Sequence, residues 1–186
     1  MRLLIVSDIF GLTSAFEAFA ALFEPAHQVL CFSPYTDLPP DFSNDMDAYE
    51  YFLANGGHEQ YQKRLLDFLT LSKGFDTIIA FSAGASALWH VSAHHDLPVV
   101  GKIISFYPSQ IRHQLAWTPK VPTHLIFPVS EPHFCVDKVV EQVIGRTNVS
   151  VEKTIYYHGF MNSLSTHFSS QAYQQFSQKM LEQLSS

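Results

Sequence analysis

Short apolar runs recur along the chain, each ending at a polar or glycine-containing turn and followed by residues at helical spacing. Runs of this length, uniformly apolar, read as strands buried on both faces. They predict strands over residues 3–7, 27–32, 77–81, 98–106 and 124–129. A sixth strand is expected over 149–157, where Val149, Val151, Lys153 and Ile155 fall in one register. Helices are predicted between them: 14–23, capped by Thr13 or Ser14; a short one over 47–53, broken at Gly56-Gly57; and 59–72, with Leu65, Leu66, Phe68 and Leu69 on one side. Further helices are expected from Ser82 to about His95, over 136–144, and over 165–184 with Phe168, Tyr173, Phe176, Met180 and Leu184. Strands alternating with helices throughout imply an α/β fold, a mostly parallel sheet of about six strands covered on both faces. The segment 33–47, with Pro34, Pro39, Pro40 and several acidic residues, is either a connector or a wall of a pocket.

Composition narrows the class. The 186 residues are 47% hydrophobic and 15% charged, which suits one globular domain over 1–186 with a proper core. The net charge of −6, with no basic run, argues against a nucleic-acid partner. The N-terminal apolar run is too short for a signal peptide, and no stretch reaches the roughly 18 apolar residues of a membrane span. Cys31 and Cys135 sit among apolar residues without metal or disulfide spacing, so buried, reduced thiols are expected. Together these features predict a soluble cytoplasmic protein.

The candidate chemistry centres on residues 76–89, where a β-branched run meets Ser82 and a helix opens with small residues. In a strand–turn–helix setting, small-x-Ser-x-small makes a nucleophile elbow. The turn is so sharp that the positions two before and two after the serine must be small, and these are Ala80 and Gly84. The bland alternative is a serine that caps a helix. In a parallel α/β sheet the ligand lies beyond the carboxyl ends of the strands. Glu131 and His158 each follow a predicted strand, so the chain order is nucleophile, acid, base. A serine hydroxyl needs a base to be nucleophilic, and His158 can take its proton and return it to the leaving group. Glu131 would hold the imidazole tautomer, with Asp137 as the competing acid. His90, His94 and His95 have helical spacing suggestive of metal ligation, but no carboxylate or cysteine accompanies them, so a solvated helix end is the better reading.

With these residues in place the chain resembles the dienelactone hydrolase family of α/β-hydrolases. Asp8-Ile9-Phe10-Gly11-Leu12 resembles that family's acidic loop after an early core strand, Ala80-Phe81-Ser82-Ala83-Gly84 its elbow, Glu131-Pro132-His133-Phe134 its acid loop and His158-Gly159-Phe160 its base motif. The resemblance implies an α/β-hydrolase fold, an oxyanion hole at the N–H groups of Ile9 and Ala83, and an acidic side chain, Asp8, near the nucleophile. Asp8 reads equally well as a turn or capping residue. The chain departs from the family in three ways. Ser82 stands where better-known members have cysteine, the expected acid is glutamate, and the leading antiparallel strands typical of the fold are expected to be absent. Arg64 and Arg112 are candidates to grip a substrate carboxylate, and neither is singled out.

The reading is therefore a serine hydrolase cleaving a small carboxylic ester, lactone or thioester without metal or cofactor. Its small-molecule substrate would sit in a mostly apolar pocket formed by exposed residues of the Phe10, Tyr107 and Trp117 loops. No nucleic-acid or membrane partner is expected, and room is left for a homodimer. The competing readings are a non-catalytic binding module on the same scaffold and, less well supported, a flavodoxin-like phosphate binder. Gly11 stands alone where the latter would need a glycine-rich loop.

Overall fold

The computed structural model describes residues 1–185. In chain order they form β1 (Arg2–Val6), α1 (Ser14–Ala21), β2 (Gln28–Phe32), α2 (Asp45–Ala54), α3 (Gly57–Leu71), β3 (Phe75–Phe81), α4 (Ser82–His94) and β4 (Val100–Phe106). A 3-10 turn (Ser109–His113), β5 (Thr123–Phe127), α5 (Val136–Val143), β6 (Val149–Lys153) and α6 (Ser170–Ser185) complete it. The strands make one six-stranded sheet in the order β2-β1-β3-β4-β5-β6, every pairing parallel. This is an α/β-hydrolase fold.

Alternate residues of each strand serve opposite faces, because side chains of a strand point to the two sides in turn. Leu3, Ile5, Ile79, Phe81, Ile104 and Phe106 pack under α1 and α6 against Phe19, Phe23, Phe176 and Met180. Leu4, Val6, Ile78, Ala80 and Ile103 pack on the other face against Phe52, Tyr61, Leu65, Leu69 and Leu88. A third cluster joins Leu125 and Phe127 of β5 to Trp89 and to Val136, Val139 and Val143 of α5. Helix starts follow local chemistry: Thr13 Oγ1 accepts from Phe16 N, and Asn44 Oδ1 accepts from Met46 N and Asp47 N.

After β1 the chain runs outward to β2 and then crosses to β3 on the opposite side of β1. The loops that leave β1 and β3 therefore diverge and open a crevice at the carboxyl edge, where ligands bind in open α/β sheets. The site sits there.

Several expectations are corrected. β6 stops at Lys153, not Tyr157, because Thr154 turns the chain: its hydroxyl donates to Phe127 O and accepts from Tyr156 N. Ile155 is left 79% exposed. β5 likewise ends at Phe127. α6 begins at Ser170 rather than 165, since residues 159–169 form turns closed by Asn162 N→Gly159 O, Ser165 N→Asn162 O and Ser169 N→Phe160 O. Phe168 is thus a loop residue, lying against Tyr173. Of the two free cysteines, Cys31 is half-buried, with its thiol pushed up to about 11 by burial, whereas Cys135 is exposed at the start of α5. Of the three histidines read as a solvated helix end, His95 is exposed at the end of α4, whereas His90 and His94 are half-buried, their rings 4.4 Å apart and His94 packed on Trp117 at 4.1 Å. Burial holds His90 below the usual histidine range. Among the described residues, no helix is long and apolar enough to cross a membrane, and no group of three or more His, Cys, Asp or Glu is placed to hold a metal ion.

Candidate active site

Ser82 stands where β3 turns into α4, with a φ of 47°. A non-glycine residue in this left-handed region is strained, and such strain collects at functional sites. The turn is possible because Ala80 is fully buried without bulk and Gly84 packs directly on β1. A Cβ on Gly84 would lie 2.2 Å from Ser7 O and 2.8 Å from Val6 Cγ1. Ser86, one helical turn on, donates its hydroxyl to Ser82 O at 3.0 Å and accepts from Gln110 N at 3.2 Å.

His158 and Glu131 meet Ser82 from the loops after β6 and β5. Ser82 Oγ lies 2.8 Å from His158 Nε2, and His158 Nδ1 lies 2.6 Å from Glu131 Oε1. A carboxylate on Nδ1 accepts a hydrogen bond, so that nitrogen carries the proton and Nε2 is left to accept from the serine hydroxyl. The Glu131 side chain is only 8% exposed, against 29% for the His158 ring. Glu131 is fixed by a bridge to Phe134 that closes its turn, and the His158 ring packs on Tyr107 at 4.8 Å. Asp137, the alternative acid, is 62% exposed and pairs with Lys153. It does not join the chain of hydrogen bonds.

A cleft of about 360 Å³ opens over Ser82 and is lined by Ile9, Ala83, Glu131 and His158 among others. Neither Ile9 N nor Ala83 N has a protein acceptor among the described hydrogen bonds. Phe10 and Tyr107 also line the cleft, yet they are 3% and 1% exposed rather than open to solvent. They form its walls, Phe10 against Phe42 and Tyr107 strained at a φ of 40°. Trp117 lies apart, packed on His94. Asp45 and Met46 bring the end of the proline-rich segment and the start of α2 to the rim.

Asp8 borders the cleft, but both its oxygens are engaged. Oδ1 accepts from Phe10 N at 2.9 Å and Oδ2 accepts from Asn162 Nδ2 at 2.7 Å. It acts as a turn residue. Burial pushes its carboxyl above the usual range, opposed by those two donors and by the nearby His158. Of the two arginines, Arg64 donates to Pro34 O and is outside the cleft, whereas Arg112 lines it, donating to Ser109 O at 2.8 Å and lying 4.9 Å from the Phe134 ring centre. His58 lines the cleft too, held below the usual histidine range by burial and then by Arg112. Sequence reasoning missed Ser86, His58 and Asn162, none of which lies in a recognisable motif. The one available signal was that Ser86 is four residues, one helical turn, past Ser82.

No protein-family model matches the chain. It is 25% identical over 177 residues to YczH, an uncharacterised protein of Bacillus subtilis strain 168, covering 89% of this chain and 83% of that one. Among solved structures, it is similar to a dienelactone hydrolase-like promiscuous phosphotriesterase from metagenomic libraries, at a TM-score of 0.67 and 15% identity over 98% of this chain and 84% of that one. It is also similar to a hydrolase from Pseudomonas aeruginosa, at a TM-score of 0.61 and 11% identity, over 100% of this chain and 90% of that one. The likeness to dienelactone hydrolase-like proteins spans nearly the whole chain, and what the chain shares with them is the α/β-hydrolase fold.

Proposed function

We propose that the protein is a serine hydrolase that cleaves a small carboxylic ester through an acyl-serine intermediate. The observation that carries the reading is the unbroken run of hydrogen bonds from Ser82 through His158 to Glu131, set on a strained elbow at the floor of an open cleft.

Ser82 Oγ attacks the ester carbonyl carbon as His158 Nε2 takes the hydroxyl proton. The carbonyl electrons move to oxygen, where the N–H groups of Ile9 and Ala83 receive the negative charge. Collapse expels the alkoxide, which takes the proton from His158 and leaves an acyl-serine. Water then repeats the sequence: His158 removes its proton, the tetrahedral adduct collapses, and Ser82 recovers its proton as the acid departs. Glu131 stabilises the imidazolium at both stages without itself being protonated. Neither stage requires a metal or cofactor. The size of the cleft supports a small substrate, and Arg112 at its wall supports one that carries negative charge. The free thiols of Cys31 and Cys135 support a reducing, cytoplasmic setting.

Steady-state kinetics of two acid variants test the assignment. Glu131→Gln should lower kcat by roughly 10²- to 10⁴-fold, because an amide no longer fixes the tautomer. Asp137→Asn, which removes only an exposed ion pair, should stay within about twofold of the parent. The reverse pattern would make Asp137 the acid.

A further inference from the structure

The loop after β1 and the loop carrying His158 are remote in sequence and are joined by one side-chain hydrogen bond, Asn162 Nδ2 to Asp8 Oδ2 at 2.7 Å. Each partner is constrained on its other side. Asn162 Oδ1 accepts from Leu164 N at 2.9 Å, and its backbone N–H donates to Gly159 O at 2.9 Å. With Leu164 N on one side and a carboxylate on the other, only one orientation of the amide satisfies both contacts, so Nδ2 is the atom that faces Asp8. Asp8 uses its second oxygen to hold Phe10 N, an Asx turn that spans Ile9. The carbonyl of Ile9 is gripped in addition by Tyr35 Oη at 2.6 Å.

The consequence is a chain of fixed contacts from the base loop to the Ile9 peptide. Gly159, next to His158, has a φ of 88°, and a Cβ there would lie 2.2 Å from Ser165 Oγ, so the turns between His158 and Asn162 have little freedom. Phe160 and Met161 between them are 0% and 5% exposed. We propose that Asn162 is a positioning residue that, through the Asp8 carboxylate, holds the Ile9 N–H in register with Ser82 and His158. A preorganised donor is worth much in acyl transfer only if it is already aimed at the developing oxyanion, and a misplacement near 1 Å is enough to lose that benefit. Asp8 and Asn162 touch neither the nucleophile nor the base by hydrogen bonding, so their effect on chemistry is indirect.

This inference rests on the acyl-serine reading, and the test separates the two. The rate of Ser82 modification by a fluorophosphonate, confirmed by mass spectrometry, is measured for the parent, Asn162→Ala and Asn162→Asp across pH 5.5 to 8.5. Asn162→Ala should react roughly ten- to a hundredfold more slowly than the parent. In Asn162→Asp two carboxyl groups face each other and share a proton when protonated, which restores a donor to Asp8. Its rate relative to the parent should therefore approach one toward acid pH and exceed that of Asn162→Ala. A residue that merely supports the fold would give no such rescue. If the parent itself takes up no fluorophosphonate, the hydrolase reading falls and the positioning role with it. If the parent reacts and Asn162→Ala reacts as fast, or Asn162→Asp is as slow as Asn162→Ala at every pH, the positioning role alone is overturned.

Discussion

Ser82→Ala should lose roughly 10⁴-fold or more in kcat toward a small ester while melting with the parent protein. In the proposed mechanism the hydroxyl supplies the bond-forming oxygen, and it lies 2.8 Å from His158 Nε2. Its removal leaves the fold intact for a physical reason. The Ser82 side chain makes a single described hydrogen bond, to a partly exposed histidine. Alanine adopts the strained φ of 47° no more easily than serine does, so the elbow's backbone energy hardly changes. Turnover assays on purified variant, paired with circular dichroism melts, check both halves. Undiminished turnover would remove Ser82 from the chemistry.

The second large effect is on stability. Gly84→Ala should lower the melting temperature by about 10 °C and reduce the yield of folded protein. An added Cβ would meet Ser7 O at 2.2 Å, Val6 Cγ1 at 2.8 Å and Tyr61 Oη at 2.9 Å. Two of these belong to β1 and its outgoing loop, where neighbouring strands on both sides hold the backbone, so the helix itself must move. Overpacking of this kind typically costs 1–3 kcal/mol and occasionally more, and each kcal/mol is worth about 2–4 °C in a chain of this size. The Tyr61 hydroxyl, which donates to Ser7 O at 2.8 Å, is disturbed by the same methyl group. A thermal melt decides: a variant that melts with the parent would mean that α4 can ride up from β1 without loss.

The elbow was legible in the sequence because it is built from local rules. A β-branched run, a serine and flanking small residues say what they are within a few positions, and the order of Glu131 and His158 after their strands follows from the parallel sheet. The choice between Glu131 and Asp137 required the fold, which places Asp137 on the solvent side of α5 beside Lys153. Strand ends were read too long where a side chain, Thr154, ends the ladder. α6 was read too early because apolar spacing continues through a loop whose turns are set by Gly159 and Asn162. The walls of the cleft were the least legible part. Arg112 and His58 come from a 3-10 turn and a helix that meet only in three dimensions, and Asn162 is hydrogen-bonded to a residue 154 positions away.

Treating the folded protein with a fluorophosphonate and locating the adduct by mass spectrometry tests whether the serine at position 82 is activated. One adduct per chain is expected, on Ser82, lost in Ser82→Ala and strongly slowed in Glu131→Gln. Absence of an adduct on folded protein would contradict that activation and favour a binding module on a hydrolase scaffold, and an adduct on any other residue would contradict the assignment of the elbow.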